Sequence, residues 1–293
     1  MHLNPIKILL GILIISFLSL NCMYGQNRDS SVFYGNEKLV PPEKVWIIKA
    51  LCQDETRLWT SPFKKPDSRL IYWAPVLGAT IVSFCYDEKI YSGIKSFQYK
   101  HEWVSTVSPV VTYGGENVTL ISTCALFYFG GLIFRDNKAR QTGLLSAEAL
   151  LHAGIIVEVG KMITGRQRPS FDQGKDHWNW FPASLNGYKK NHPGSKYDAF
   201  PSGHTIAAWS VATVIAKRYK DQKLIPVICY ALATGVGLSR ITEDTHWLSD
   251  VIVGGALGYS IGNFVVRERS NTKFTLFPVT DGKSLALSAT MQF

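Results

Sequence analysis

Four stretches of 16 to 18 residues carry no charged side chain: Leu70 to Tyr86, Asn117 to Phe134, Leu224 to Ser239 and Val251 to Val266. Uninterrupted apolar runs of that length exceed an ordinary strand and suit helices that hide most of their circumference. Two more apolar segments, Leu144 to Lys161 and His204 to Ala216, hold few titratable groups; Glu148, His152 and Glu158 lie in the first. The pattern predicts an all-α protein, a six-helix bundle with a short C-terminal β-hairpin. In that hairpin Phe274 to Val279 and Ser284 to Phe293 flank Asp281-Gly282, a turn pair. With 46 % hydrophobic and 18 % charged residues over 293 positions, the chain is too apolar to stay disordered.

The N-terminus reads as an address. Lys7 precedes an apolar run from Ile8 to Leu20, and small or polar residues follow at Gly25 and Gln26. This is the form of a secretory signal peptide, too short in its apolar core for an ordinary span. Asn21 is a poor residue before a lipidated cysteine at Cys22. The expected organisation is a signal peptide at 1–25, an N-terminal extension at 26–69, a helical domain at 70–268 and the hairpin tail at 269–293. Whether the helices span a membrane stays open at this level. An exported Gln26 followed by six spans puts the basic loops Arg135 to Arg140 and Lys217 to Lys223 outside, against the positive-inside tendency. A buried bundle in the periplasm, or an uncleaved N-terminal helix, removes the conflict.

A formal net charge of +9 favours anionic partners. Lys and Arg are scattered through loops without an aromatic-interleaved stripe, so nucleic acid is set aside in favour of phosphate or a membrane surface. The five cysteines form no C-x-x-C pair, which supports neither zinc nor a redox motif.

Three clusters carry chemistry. The first, Lys161 to Pro169, closes an apolar helix with cations: Lys161 offers a mobile point charge and Arg168 a planar fork that can grip two phosphate oxygens. The second, Phe200-Pro201-Ser202-Gly203-His204, opens a helix. Ser202 is a good N-cap, and Gly203 lets a ligand approach the free amides of the first turn, with His204 beside it. The third runs from Ser239-Arg240 to His246 and Asp250. Thr245 or Asp244 is expected to cap the last helix, placing His246 in its first turn and Asp250 on the same face, within reach of a hydrogen bond that fixes the imidazole.

Together the clusters resemble the type 2 phosphatidic-acid phosphatase superfamily, which also contains bacterial acid phosphatases and vanadium haloperoxidases. Its patterns K-x6-R-P, P-S-G-H and S-R-x5-H-x3-D are present in order. The last alone arises by chance in roughly one chain in several hundred of this length. The resemblance spans about Leu70 to Val266. It implies a metal-independent phosphatase without a cofactor, in which His246 attacks phosphorus, Asp250 orients it, and His204 protonates the leaving oxygen and then activates water. Lys161, Arg168, Ser202, Gly203 and Arg240 would hold the phosphoryl oxygens. The implied partner is a phosphorylated lipid or small phosphomonoester at a membrane surface. The implied location is the cell envelope of an exported bacterial protein, its site facing the periplasm.

The alternatives are a vanadium-dependent haloperoxidase with vanadate on His246, or a non-catalytic membrane bundle. Chain length speaks against the first and the completeness of the motifs against the second. Outside the clusters, His152 reads as a core histidine paired with Glu148, and Arg166 as a loop cation. Trp178, Trp180 and Phe181 read either as a lid or acyl-chain wall, or as a loop packed on its own bundle.

Overall fold

A computed structural model describes residues 70–171, 174–181, 197–269, 273–280 and 285–292. All fall in the second of two units of the chain, Phe63–Phe293. The expected signal peptide at 1–25 and extension at 26–69 lie outside the described residues.

The described chain is mostly helical, with seven α-helices where six were expected: α1 (Leu70–Lys100), α2 (Trp103–Thr112), α3 (Asn117–Ile133), α4 (Asn137–Thr164), α5 (Gly203–Arg218), α6 (Leu224–Thr242) and α7 (Leu248–Arg269). The additional helix is α2. Its buried Ser108 and Thr112 and its internal Pro109 broke the apolar pattern that marks the others. A 3-10 turn, Tyr113–Gly115, joins it to α3, and the pair is bent by 51°. Gly115 makes that elbow possible, because a Cβ there would lie 2.4 Å from Val236 Cγ1 and 3.2 Å from His204 Cβ. The residues Lys273–Thr280 and Leu285–Gln292 pair antiparallel, with Lys273 opposite Gln292.

Local chemistry sets the helix ends. Asp136 caps α4 by accepting from the amides of Lys138 at 2.8 Å and Ala139 at 3.2 Å. The same helix stops at Gly165, whose φ of 49° is the left-handed cap conformation that glycine adopts without strain.

The core is organised around α5, which packs against α4, α6 and α7. It buries residues on every side, among them Ile206, Ala208, Val211 and Val214. Contact with α7 is nearly backbone to backbone. Gly254, Gly258 and Gly262 recur every four residues, hence on one helix face. A Cβ on Gly258 would lie 2.5 Å from the Ile206 carbonyl oxygen, and one on Gly262 2.6 Å from that of Ser210. Small residues at this spacing bring two helices together where larger side chains would hold them apart.

The outer face is apolar. Leu77, Ile81, Ile121, Leu126, Phe129, Leu224, Val227 and Leu232 are exposed on α1, α3 and α6. Among the described residues three helices, α4, α6 and α7, are long and apolar enough to cross a bilayer, or up to four spans form if the bent α2 and α3 pair counts as one. An exposed apolar surface of this extent is a membrane-association surface.

Candidate active site

The three sequence clusters converge where α4 ends and α5 begins. Arg166 is the surprise. Expected as a loop cation, it is wholly buried and is the hub of a carboxylate network. Its Nε and Nη2 donate to the two oxygens of Asp176 at 2.9 and 2.6 Å. Nη1 donates to Ser249 Oγ at 2.6 Å and Asp250 Oδ1 at 2.5 Å, and Nη2 also to Asp87 Oδ2 at 2.8 Å. The guanidinium lies over the rings of Trp178, Phe84 and Trp247, with centroids 4.6, 5.1 and 5.2 Å away. Asp87, from α1, further accepts from the Ser249 hydroxyl and from its amide at 3.2 Å. Burial pushes the Asp87 carboxyl above its ordinary value, although Ser249 and Arg166 pull it back. One buried arginine thus ties α1 and the loop after α4 to the start of α7.

This network corrects the reading of Asp250. The last helix starts at Leu248, so His246 precedes it instead of lying in its first turn. Neither Asp244 nor Thr245 caps it. Asp244 sits at φ 58° and pairs with Lys95, while Thr245 Oγ1 donates back to the Arg240 carbonyl at 2.8 Å. Asp250 instead reaches back along the first turn and accepts from the Trp247 amide at 2.8 Å, the acidic half of a capping box. Its Oδ2 is 3.7 Å from His246 Nδ1. The partner at hydrogen-bond distance is the Ala199 carbonyl oxygen, 2.5 Å from that nitrogen. A carbonyl can only accept, so Nδ1 carries the proton and Nε2 the free lone pair.

The cations stand around this imidazole. Arg168 donates from Nε and Nη2 to the two oxygens of Asp198 at 2.5 and 2.8 Å, and Lys161 Nζ lies 3.7 Å from the same carboxylate. Burial alone would raise the Asp198 carboxyl, but Lys161 and Arg168 outweigh it and hold it below the usual value. Arg240 Nη1 is gripped by Glu243 at 2.6 Å and bonded to Thr112 Oγ1 at 3.3 Å. Its Nε is buried and has no partner among the described residues. Buried N–H groups without a partner are uncommon in folded proteins.

His204 and His246 share this field. Burial first, then Arg240, His246, Lys161 and Arg168, push the His204 imidazole down to about 3. Burial, then Arg168, Lys161 and Arg240, hold His246 well below its ordinary value, with Asp198 opposing. Ser202 is buried at the α5 N-terminus, yet its hydroxyl meets Thr205 Oγ1 at 2.8 Å and caps no amide. Gly203 faces Val157, whose Cγ1 would lie 3.2 Å from an added Cβ. Its smallness therefore serves the junction of α4 and α5 as well as any approach by a ligand.

Of the three loop aromatics singled out, Trp178 packs on the bundle, whereas Trp180 and Phe181 are more than half exposed. Trp178 stacks on Trp180 with centroids 5.0 Å apart and contacts Phe84 and Phe200. His152 is fully buried, 3.9 Å from Glu148. Sequence reasoning missed Asp87, Asp176, Asp198, Ala199 and Glu243. Only Asp87 left a trace: it is the first charge after the run Leu70 to Tyr86.

Bundle and site together bring two histidines and three cations to the N-terminus of one buried helix. Residues 142–273 match the family model of the PAP2 superfamily. It is 26 % identical over 222 residues to the lipid A 1-phosphatase of Porphyromonas gingivalis, covering 71 % of this chain and 42 % of that protein. To the lipid A 1-phosphatase of Rhizobium johnstonii it is 27 % identical over 198 residues, covering 62 % of this chain and 75 % of the other. Among solved structures, a transmembrane PAP2-type phosphatidylglycerolphosphate phosphatase from Bacillus subtilis superposes with a TM-score of 0.49 at 21 % identity, over 69 % of this chain and 94 % of that one.

Proposed function

We propose that this chain is a metal-independent phosphatase of the bacterial cell envelope that removes a terminal phosphate from a lipid through a phosphohistidine on His246. One observation carries the proposal: the imidazole of His246 is tied by Nδ1–H to a backbone carbonyl, leaving Nε2 unprotonated amid Lys161, Arg168 and Arg240. Phosphoryl transfer asks mainly for positioning and for neutralisation of charge, and these cations beside the amides of the first turn of α5 supply both.

In the proposed reaction the Nε2 lone pair forms a bond to phosphorus. The bond to the leaving oxygen breaks, and that oxygen leaves with the pair and takes a proton from His204. Water then attacks the phosphohistidine, giving its proton to the now neutral His204, and inorganic phosphate departs with His246 restored. Burial and the surrounding cations disfavour a proton on His204 in the ligand-free site. An arriving phosphate dianion offsets the cations that depress it and so lets it hold the proton it must give.

The relatives' names make lipid A the first substrate class to test. We assign the catalytic domain to residues 70–268 and orient its site to the periplasm, following the apolar run Ile8 to Leu20 that reads as an export signal. The test is phosphate release by the purified full chain in detergent from lipid A, phosphatidate, phosphatidylglycerophosphate, a polyprenyl diphosphate and a soluble phosphomonoester. Turnover should vanish in His246→Ala; activity unchanged by that substitution refutes the assignment.

A further inference from the structure

Two cations expected to grip phosphate are already engaged. Asp198 presents two oxygens to the Nε and Nη2 edge of Arg168 at 2.5 and 2.8 Å, with Lys161 at 3.7 Å on the same carboxylate. This is the fork geometry in which arginine takes a phosphate. Arg240 differs: it is held at Nη1 by Glu243 and keeps a buried Nε unengaged by any described group. Asp198 also acts on His246, where its charge opposes that of the cations. It adjoins Ala199, whose carbonyl oxygen is 2.5 Å from His246 Nδ1, and so stands beside that imidazole. Its side chain is 13 % exposed, beside Arg168 at 19 % and Lys161 at 16 %, so solvent reaches part of all three.

We infer that Asp198 is a built-in competitor for the phosphoryl group, occupying Arg168 and Lys161 in the ligand-free chain and yielding them to substrate. A carboxylate and a phosphate dianion cannot share one guanidinium edge without repulsion, so binding of one expels the other. The gain is in turnover. A cradle strong enough to neutralise a phosphoryl group also retains inorganic phosphate, and the returning carboxylate drives that product out.

The inference rests on the phosphatase reading, and the test separates the two. Binding of inorganic orthophosphate and orthovanadate to the full chain is measured by calorimetry, which needs no turnover, and their inhibition constants are measured against an aryl phosphate. Asp198→Asn and Asp198→Ser should each bind orthophosphate about tenfold tighter, the worth of one charge-assisted contact no longer to be displaced. KM should fall with kcat, product inhibition should deepen, and Asp198→Glu should restore weak phosphate binding. A carboxylate that merely braces the cations gives the opposite sign. Weaker or unchanged orthophosphate binding in folded Asp198→Asn and Asp198→Ser therefore overturns the inference. Tighter binding without any phosphate release from a lipid leaves it standing and removes the phosphatase reading instead.

Discussion

Replacing Arg166 by alanine tests the architecture beneath the nucleophile. The side chain makes five charge-assisted hydrogen bonds to Asp87, Asp176, Ser249 and Asp250, and it is entirely buried. Asp87 and Asp250 are buried too, at 2 % and 0 % exposure. Removing the guanidinium leaves them without their cation, and breaking a buried ion pair from one side costs about 3–5 kcal/mol. For a domain of this size that lowers the melting temperature by about 10 °C. Lysine should rescue little, since a point charge cannot serve three carboxylates that a planar fork reaches together. The loss extends to chemistry because Asp250 holds the Trp247 amide and so the residue after His246. The assay is thermal unfolding of the detergent-solubilised chain beside phosphate release. Asp87→Asn should harm the Arg166→Ala background less than it harms the wild type, because the two share one network. A melting temperature within about 2 °C of wild type, or strictly additive losses, would show that the network contributes no coupling.

The two histidines should fail differently: rapid-quench labelling with an activated aryl phosphate traps phosphohistidine in His204→Ala and none in His246→Ala, and the reverse result exchanges their roles. The pH profile follows from the lowered imidazoles. A nucleophile held well below the ordinary 6.5 stays unprotonated as the medium acidifies, while acid helps supply the proton that His204 must carry. Hence kcat/KM should hold or rise from pH 8 down to about 5, and a loss centred near 6.5 would contradict the depressed His246. Gly258→Val should destabilise by about 1–3 kcal/mol or more in a thermal melt, because its Cβ would meet the Ile206 carbonyl at 2.5 Å. Gly154→Ala, with nothing within 4 Å of the added carbon, should be neutral or stabilise by up to about 1 kcal/mol.

Much of the candidate site's clustering was legible before any fold was known, and for a local reason. A C-terminal cation before Gly165, a helix opening at Gly203 and an arginine six residues ahead of a histidine are relations between near neighbours. Spacing along a chain reports such relations. The family resemblance added roles to residues already singled out. Legible but unread was the repeat Gly254, Gly258, Gly262, whose meaning needs a partner helix. Spacing misled where the backbone departed from a helix: His246 and Asp250 are four apart as expected, yet α7 begins only at Leu248, and a carbonyl took the place assigned to the carboxylate.

What folding alone decided is which carboxylate meets which cation. Asp87 and Ser249 are 162 positions apart and Arg168 and Asp198 are 30 apart. No periodicity or motif links them. A buried guanidinium demands anionic neighbours whatever the fold. Composition can therefore say that Arg166, once buried, needs partners, but only the packing of α1, α4, α5 and α7 brings particular carboxylates within about 3 Å of it.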